Sequence, residues 1–239
     1  MTVTTEKTVR DLALEIPAAT RVFEKLGIDY CCGGGKTLEQ ACEAANLPLD
    51  RVVEELESAG RNPRPESATQ DWQARPLSEL TTHIQTTHHQ YTREEIVRLT
   101  ALTAKVSAAH GANHQELVEI RDVFEGLAQE LSGHMMKEEM ILFPYIVRLE
   151  NAVQATKAPF GTVRNPIAMM MHEHDGAGEA LRDLRRLSGG YSAPADACVS
   201  YQTLYRALAA FEADLHQHIH LENNILFPRA VELEQAKQG

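Results

Sequence analysis

The first 82 residues of this chain contain no histidine, although the chain has eleven. Aromatic residues are also scarce, at 5% with a single tryptophan. Long apolar runs are absent. No stretch approaches the ~20 residues needed to span a membrane, so no membrane segment is expected. Basic residues are outnumbered, 23 Lys and Arg against 34 Asp and Glu, for a net charge of −11. That balance argues against nucleic acid or an anionic membrane as a partner, since both need clustered positive charge. Four cysteines in 239 residues are too few for a disulfide framework and read as thiols in a reducing cytoplasm. The opening MTVTTEKTVRDLALEIP has no charged segment leading into an apolar run, so no signal peptide is expected. Hydrophobic residues make up 43%, sufficient for a core without cross-links.

What the chain does contain is a repeat. Leu131 to Glu150 reads LSGHMMKEEMILFPYIVRLE, and Leu215 to Glu234 reads LHQHIHLENNILFPRAVELE. The copies align without gaps. Each carries His-x-x-x-Glu, at His134/Glu138 and at His218/Glu222. Farther back, His89-x-x-x-x-Glu94 matches His174-x-x-x-x-Glu179. Each half therefore reads as a helix with one histidine, a connection, and a helix with His-x-x-x-Glu. Two helical hairpins, each with an apolar stripe, bury those stripes against each other. The expected fold is all-α, an antiparallel four-helix bundle.

Residues 1–60 read as a small helical domain before the bundle. Val9–Leu14 and Ala18–Leu26 are expected helices, with Gly27 as a C-cap. Thr37-x-x-Gln40 is a capping-box signature opening another, and a further helix starts near Pro48. Residues 61–76, with three prolines and no periodicity, read as a linker. Residues 77–239 form the expected bundle, with helices near 77–107, 114–150, 166–188 and 197–236. Pro144 and Pro228 stand at equal places in the repeat. Each is expected to kink its helix or end a straight segment.

In a helix, residues four apart share a face. His134 with Glu138, and His218 with Glu222, can each point into a bundle core, and His89 and His174 arrive from the other two helices. Four imidazoles and two bridging carboxylates supply eight donor atoms, four for each of two metals. An oxo or hydroxo bridge brings each to five and leaves a sixth position open. One zinc would leave two of the six residues idle. All-oxygen Mg²⁺ or Ca²⁺ sites do not use four imidazoles, and the mixed set suits iron or manganese.

The first histidine is a choice between neighbours. Helical phase from Ile84 favours His88, whereas the repeat favours His89. Glu130 and Asp214 occupy one place in the two copies, a turn before the ligand histidine. With Glu173, they are candidates for a second layer of hydrogen bonds or for an entry path. His216 and His220 fall on another face and read as solvated. Cys31 and Cys32, adjacent thiols in a glycine-rich loop, are candidate reactive groups.

The motifs GIDYCCGG (27–34), SGHMMKEEMILFP (132–144), HEHDGAGE (172–179) and HIHLENNILFP (218–228) together resemble the repair-of-iron-centres family. The resemblance covers nearly the whole chain. It implies a haemerythrin-like bundle holding two non-haem irons, bridged by oxo or hydroxo. The ligands would be His89, His134, His174 and His218, with Glu138 and Glu222 as bridges. It further implies a cytoplasmic role under nitrosative or oxidative stress, with damaged iron-sulfur proteins as partners and nitric oxide or O₂ as the small ligand. Cys31 and Cys32 would be the working thiols of the small domain. Two alternatives stay open beside cluster repair: reduction of nitric oxide to N₂O, and a carrier or sensor of O₂ or nitric oxide.

Overall fold

The computed structural model describes residues 3–16, 18–31, 33–61, 71–153 and 158–238. Pro17, Cys32, most of the expected linker and residues 154–157 of the crossover lie outside the described residues. The chain forms two compact units, residues 1–75 with 219–228, and residues 76–218 with 229–239. Among the described residues no strand forms, and no helix is long and apolar enough to cross a membrane.

In the first unit, helices α1 (Val9–Glu15), α2 (Ala19–Leu26), α3 (Leu38–Ala44) and α4 (Leu49–Arg61) follow in order. Thr8 caps α1 by accepting from the Asp11 amide at 3.1 Å. Gly27 ends α2 in the left-handed region, at φ 69°. The Gly27 and Ile28 amides then bond back to Glu24 and Phe23, closing a Schellman motif. At α3 both bonds of the Thr37/Gln40 capping box form. Gly34 is required by close approach: a Cβ there would meet the Tyr30 carbonyl oxygen at 2.6 Å. Phe23, Tyr30, Leu38, Val52 and Leu56 form the centre of this core, all at 0% exposure. The Tyr30 hydroxyl donates to Glu24 at 2.7 Å, and burial pushes the phenol well above its usual range.

The segment 219–228 packs into this same unit. Asn224 Nδ2 donates to the Tyr30 carbonyl at 3.3 Å and to His220 Nδ1 at 2.8 Å. His220 is buried rather than solvated as its face predicted, and its ring lies 5.4 Å from that of Tyr30. Burial, then the charge of Arg10, pushes the imidazole down to about 4.

Four long helices follow the first domain along the chain. Helix α5 runs through Leu77–His83, Ile84–His89 and Gln90–His110. Helix α6 runs through Glu116–Lys137, Glu138–Leu142 and Phe143–Asn151. Helix α7 is Arg164–Leu187, and α8 runs through Val199–Leu221, Glu222–Leu226 and Phe227–Gln238. Helix α6 packs on both α5 and α7. Helix α8 joins α6 through Phe124 against Phe211 and joins α7 through Arg185 Nε donating to Glu212 at 3.0 Å. The product is the expected antiparallel bundle.

The repeat also caps its own hairpins. Glu150, at the end of the first copy, accepts from the Leu77 and Ser78 amides at 2.6 and 2.9 Å, where α5 begins. Glu234, at the end of the second, accepts from the Val163 amide at 3.0 Å, where α7 begins. A carboxylate at a helix N-terminus satisfies orphan amides and meets the positive end of the dipole. Each Leu-Glu ending thus ties its helix to the start of its partner.

Before each proline the α-helical run gives way to a π turn, at Glu138–Leu142 and at Glu222–Leu226. Proline offers no amide, and its ring would strike the carbonyl four residues back. A wider turn moves that carbonyl aside, and the neighbouring amides reach five residues back instead. The Phe143 amide bonds to the Glu138 carbonyl, and the Phe227 amide to that of Glu222. A third π turn, Ile84–His89, precedes Gln90 without a proline.

Candidate metal centre

The three π turns fall on the predicted site residues. Glu138 opens one, Glu222 opens another, and His89 closes the third. Such bulges are rare and re-aim side chains, often at functional sites.

Two clusters of potential donors result. One holds His89, Glu138, His218 and Glu222, the other His134, Glu138, His174 and Glu222. Within each cluster the nearest donor atoms all lie within 4.8 Å of one another. Each cluster contains one histidine pair, and both share both glutamates. His89 Nε2 stands 3.1 Å from His218 Nε2, and His134 Nε2 stands 3.0 Å from His174 Nε2. Two donors bound to one metal at about 2.1 Å and near a right angle are about 3 Å apart. Glu138 spans the clusters, with Oε2 at 3.4 Å from His89 Nε2 and Oε1 at 3.3 Å from His134 Nε2.

Both glutamates are at 0% exposure. A carboxylate taken fully out of water needs a counter-charge. The donor set and its spacing therefore fit metal cations, one per histidine pair, joined through the carboxylates.

A second layer orients the histidines. His89 Nδ1 lies 2.7 Å from Glu139 Oε1, and Arg93 Nη2 donates to the same oxygen at 2.7 Å. His134 Nδ1 lies 2.8 Å from Glu173 Oε2, while Lys137 donates to Glu173 Oε1. Each chain runs from a cation through a carboxylate to an imidazole. Burial raises Glu139 and Glu173, but the cation and imidazole beside each hold them below the usual carboxylate range. Charged carboxylates there fix the Nδ1–H tautomer and turn Nε2 inward.

The π turn at Ile84–His89 brings both adjacent histidines inside. It adds a residue to one turn, so a position five after Ile84 also faces inward, and both His88 and His89 are buried. His89 joins the donor cluster. His88 instead places Nδ1 3.0 Å from Asp214 Oδ1 and stacks on the His218 ring at 5.7 Å. Asp214 thus acts on His88, and Glu173 on His134. Glu130 is exposed, and both it and Asp214 stand outside the two clusters.

Cys31, one of the two candidate reactive thiols, is not at the surface. It is buried, its amide donates to Asp29 Oδ1 at 3.1 Å, and its Sγ lies 3.4 Å from that oxygen. Cys32 lies outside the described residues. Cys42 is core, with burial raising its thiol, and Cys198 is exposed, with Sγ 3.1 Å from His110 Nε2.

Glu139, Arg93 and Lys137 were not singled out from the sequence. In the repeat Glu139 aligns with Asn223, so a search for shared residues passes over it. The only local signal is that Glu139 follows Glu138 directly.

Comparison with known proteins gives the same outline. The model of the Hemerythrin HHE cation binding domain matches residues 80–230. The ScdA_N domain, a domain of unknown function, matches residues 5–60. The "Probable iron-sulfur cluster repair protein" of Haemophilus influenzae is 36% identical over 226 residues, covering 95% of this chain and 97% of that protein. "Iron-sulfur cluster repair protein YtfE" of Edwardsiella ictaluri is 38% identical over 226 residues, with the same coverage of both chains. The protein of that name from Musicola paradisiaca is 37% identical over 227 residues, covering 95% of this chain and 96% of its own. With both domains and relatives 36–38% identical over 95% of its length, the chain belongs to the hemerythrin HHE family, among the repair-of-iron-centres proteins.

Proposed function

We propose that this chain is a cytoplasmic non-haem di-iron protein that repairs iron-sulfur clusters damaged by nitric oxide or oxidative stress, by supplying iron to them. The observation that carries this reading is the pair of histidine clusters sharing Glu138 and Glu222. The two domain matches, and relatives named for cluster repair that align over 95% of the chain, support it.

In this reading His89 and His218 hold one iron, and His134 and His174 the other. Glu138 and Glu222, shared by both clusters, would complete the hold on them. Bound there, iron would supply redox chemistry toward a diatomic such as nitric oxide or O₂. The protein's part is to hold the His89 and His134 imidazoles in one tautomer and to keep bulk water from the carboxylates. Ferrous iron would be held more weakly than ferric by the Glu138 and Glu222 carboxylates, so an external one-electron donor would favour its release toward a damaged cluster.

Metal analysis of the purified protein tests the reading. About two irons per chain are expected from the donor count, whereas about one zinc would overturn it. A second test concerns the small domain. With Cys31→Ala and Cys32→Ala together, bundle iron is expected to stay and cluster repair to fall. Unchanged repair in that variant removes the thiols from the mechanism.

A further inference from the structure

A groove of about 680 Å³ opens on the surface of the bundle beside the first histidine pair. Arg93, Glu94, Gln90, Glu139 and Met140 line it. His89 itself is at 0% exposure, whereas the Glu139 side chain is at 26%. Glu139 therefore stands between the groove and a buried donor of the site. Both of its bonds land on Oε1, one from His89 and one from Arg93. Among the described residues Glu139 Oε2 accepts no bond, so one carboxylate oxygen is uncommitted at the groove. The Arg93 side chain is half-exposed and can swing into solvent.

We propose that this groove is the passage by which iron reaches and leaves the His89/His218 half of the site. Glu139 is the carboxylate that takes the ion, and Arg93 is the latch that keeps Glu139 turned toward His89. With Arg93 in place, its guanidinium occupies the groove and repels a cation. When Arg93 swings out, Glu139 offers both oxygens to an ion, one turn of side chain from His89. This inference rests on the di-iron reading. It adds which face the metal uses and why the two halves differ, since the matching carboxylate Glu173 is held by a lysine.

The test is ferrous release from the full-length loaded protein to a colorimetric chelator, mixed rapidly under anaerobic conditions. Arg93→Ala is expected to release the first iron roughly tenfold faster than the parent, on the scale of outer-shell effects. Met140→Trp, which fills the groove from an exposed position, is expected to slow the same phase severalfold with iron content unchanged. Lys137→Ala, the equivalent cation at the other half, is expected to leave that phase alone. Parent-like release in both Arg93→Ala and Met140→Trp would overturn the passage. So would equal acceleration in Lys137→Ala, which would mean general loosening of the shell. A parent that binds no iron would overturn the di-iron reading itself, a result separate from a change in release rate.

Discussion

His88 Nδ1 lies 3.0 Å from Asp214 Oδ1, and its ring stacks on His218 at 11° between planes. A histidine next in sequence to a donor thus supports the donor of another helix. His89→Ala is expected to lose one iron of two. His88→Ala is expected to retain both, with altered visible absorption as the His218 ring loses its support. Equal iron loss in both variants would contradict the division of labour.

Glu173 holds His134 from the adjacent helix. Glu173→Gln keeps the shape but weakens the acceptor and removes the charge. Iron affinity at that half-site is expected to fall about tenfold or more, measured by competition with a chelator. Glu130→Gln, at an exposed position, is expected to bind as the parent does.

Glu234 is buried and accepts from Tyr145 Oη at 2.6 Å, from Thr162 and from the Val163 amide. Burial alone would raise it, but these donors hold the carboxyl below its ordinary value. A depressed folded value contributes stability above the unfolded pKa of about 4.3, and the contribution is lost as pH falls through the folded value. Glu234→Gln is expected to cost about 1–3 kcal/mol at pH 7. In thermal melts the gap from the parent should narrow below about pH 4. A gap constant with pH would mean the charge is not what the donors recognise.

Thiol accessibility is ordered by the fold. Cys198 is exposed, while Cys31 and Cys42 are buried. Peptide mass mapping after brief alkylation is expected to find Cys198 modified first, and Cys31 and Cys42 only after unfolding. Rapid native labelling of Cys31 would show that its loop opens.

The sequence by itself was enough for the inner constellation. A duplicated hairpin keeps identical residues where both halves do the same work, as at His134/His218, Glu138/Glu222 and His89/His174. Capping chemistry was likewise legible at Thr37, Gln40 and Gly27, because those bonds close within a few residues. The outer layer was not. Glu139 faces Asn223 in the repeat, Glu173 faces His88, and Glu130 faces Asp214, so the copies diverge wherever the two halves meet different neighbours. Hydrogen bonds of that layer run between helices, 36 to 126 residues apart in the chain, and no local period encodes them. The choice of His89 as a donor was reached from the repeat against helical phase, and the tertiary structure supplies the cause. A straight α-helix would turn His88 inward; the π turn at Ile84–His89 adds the one residue that turns His89 inward as well.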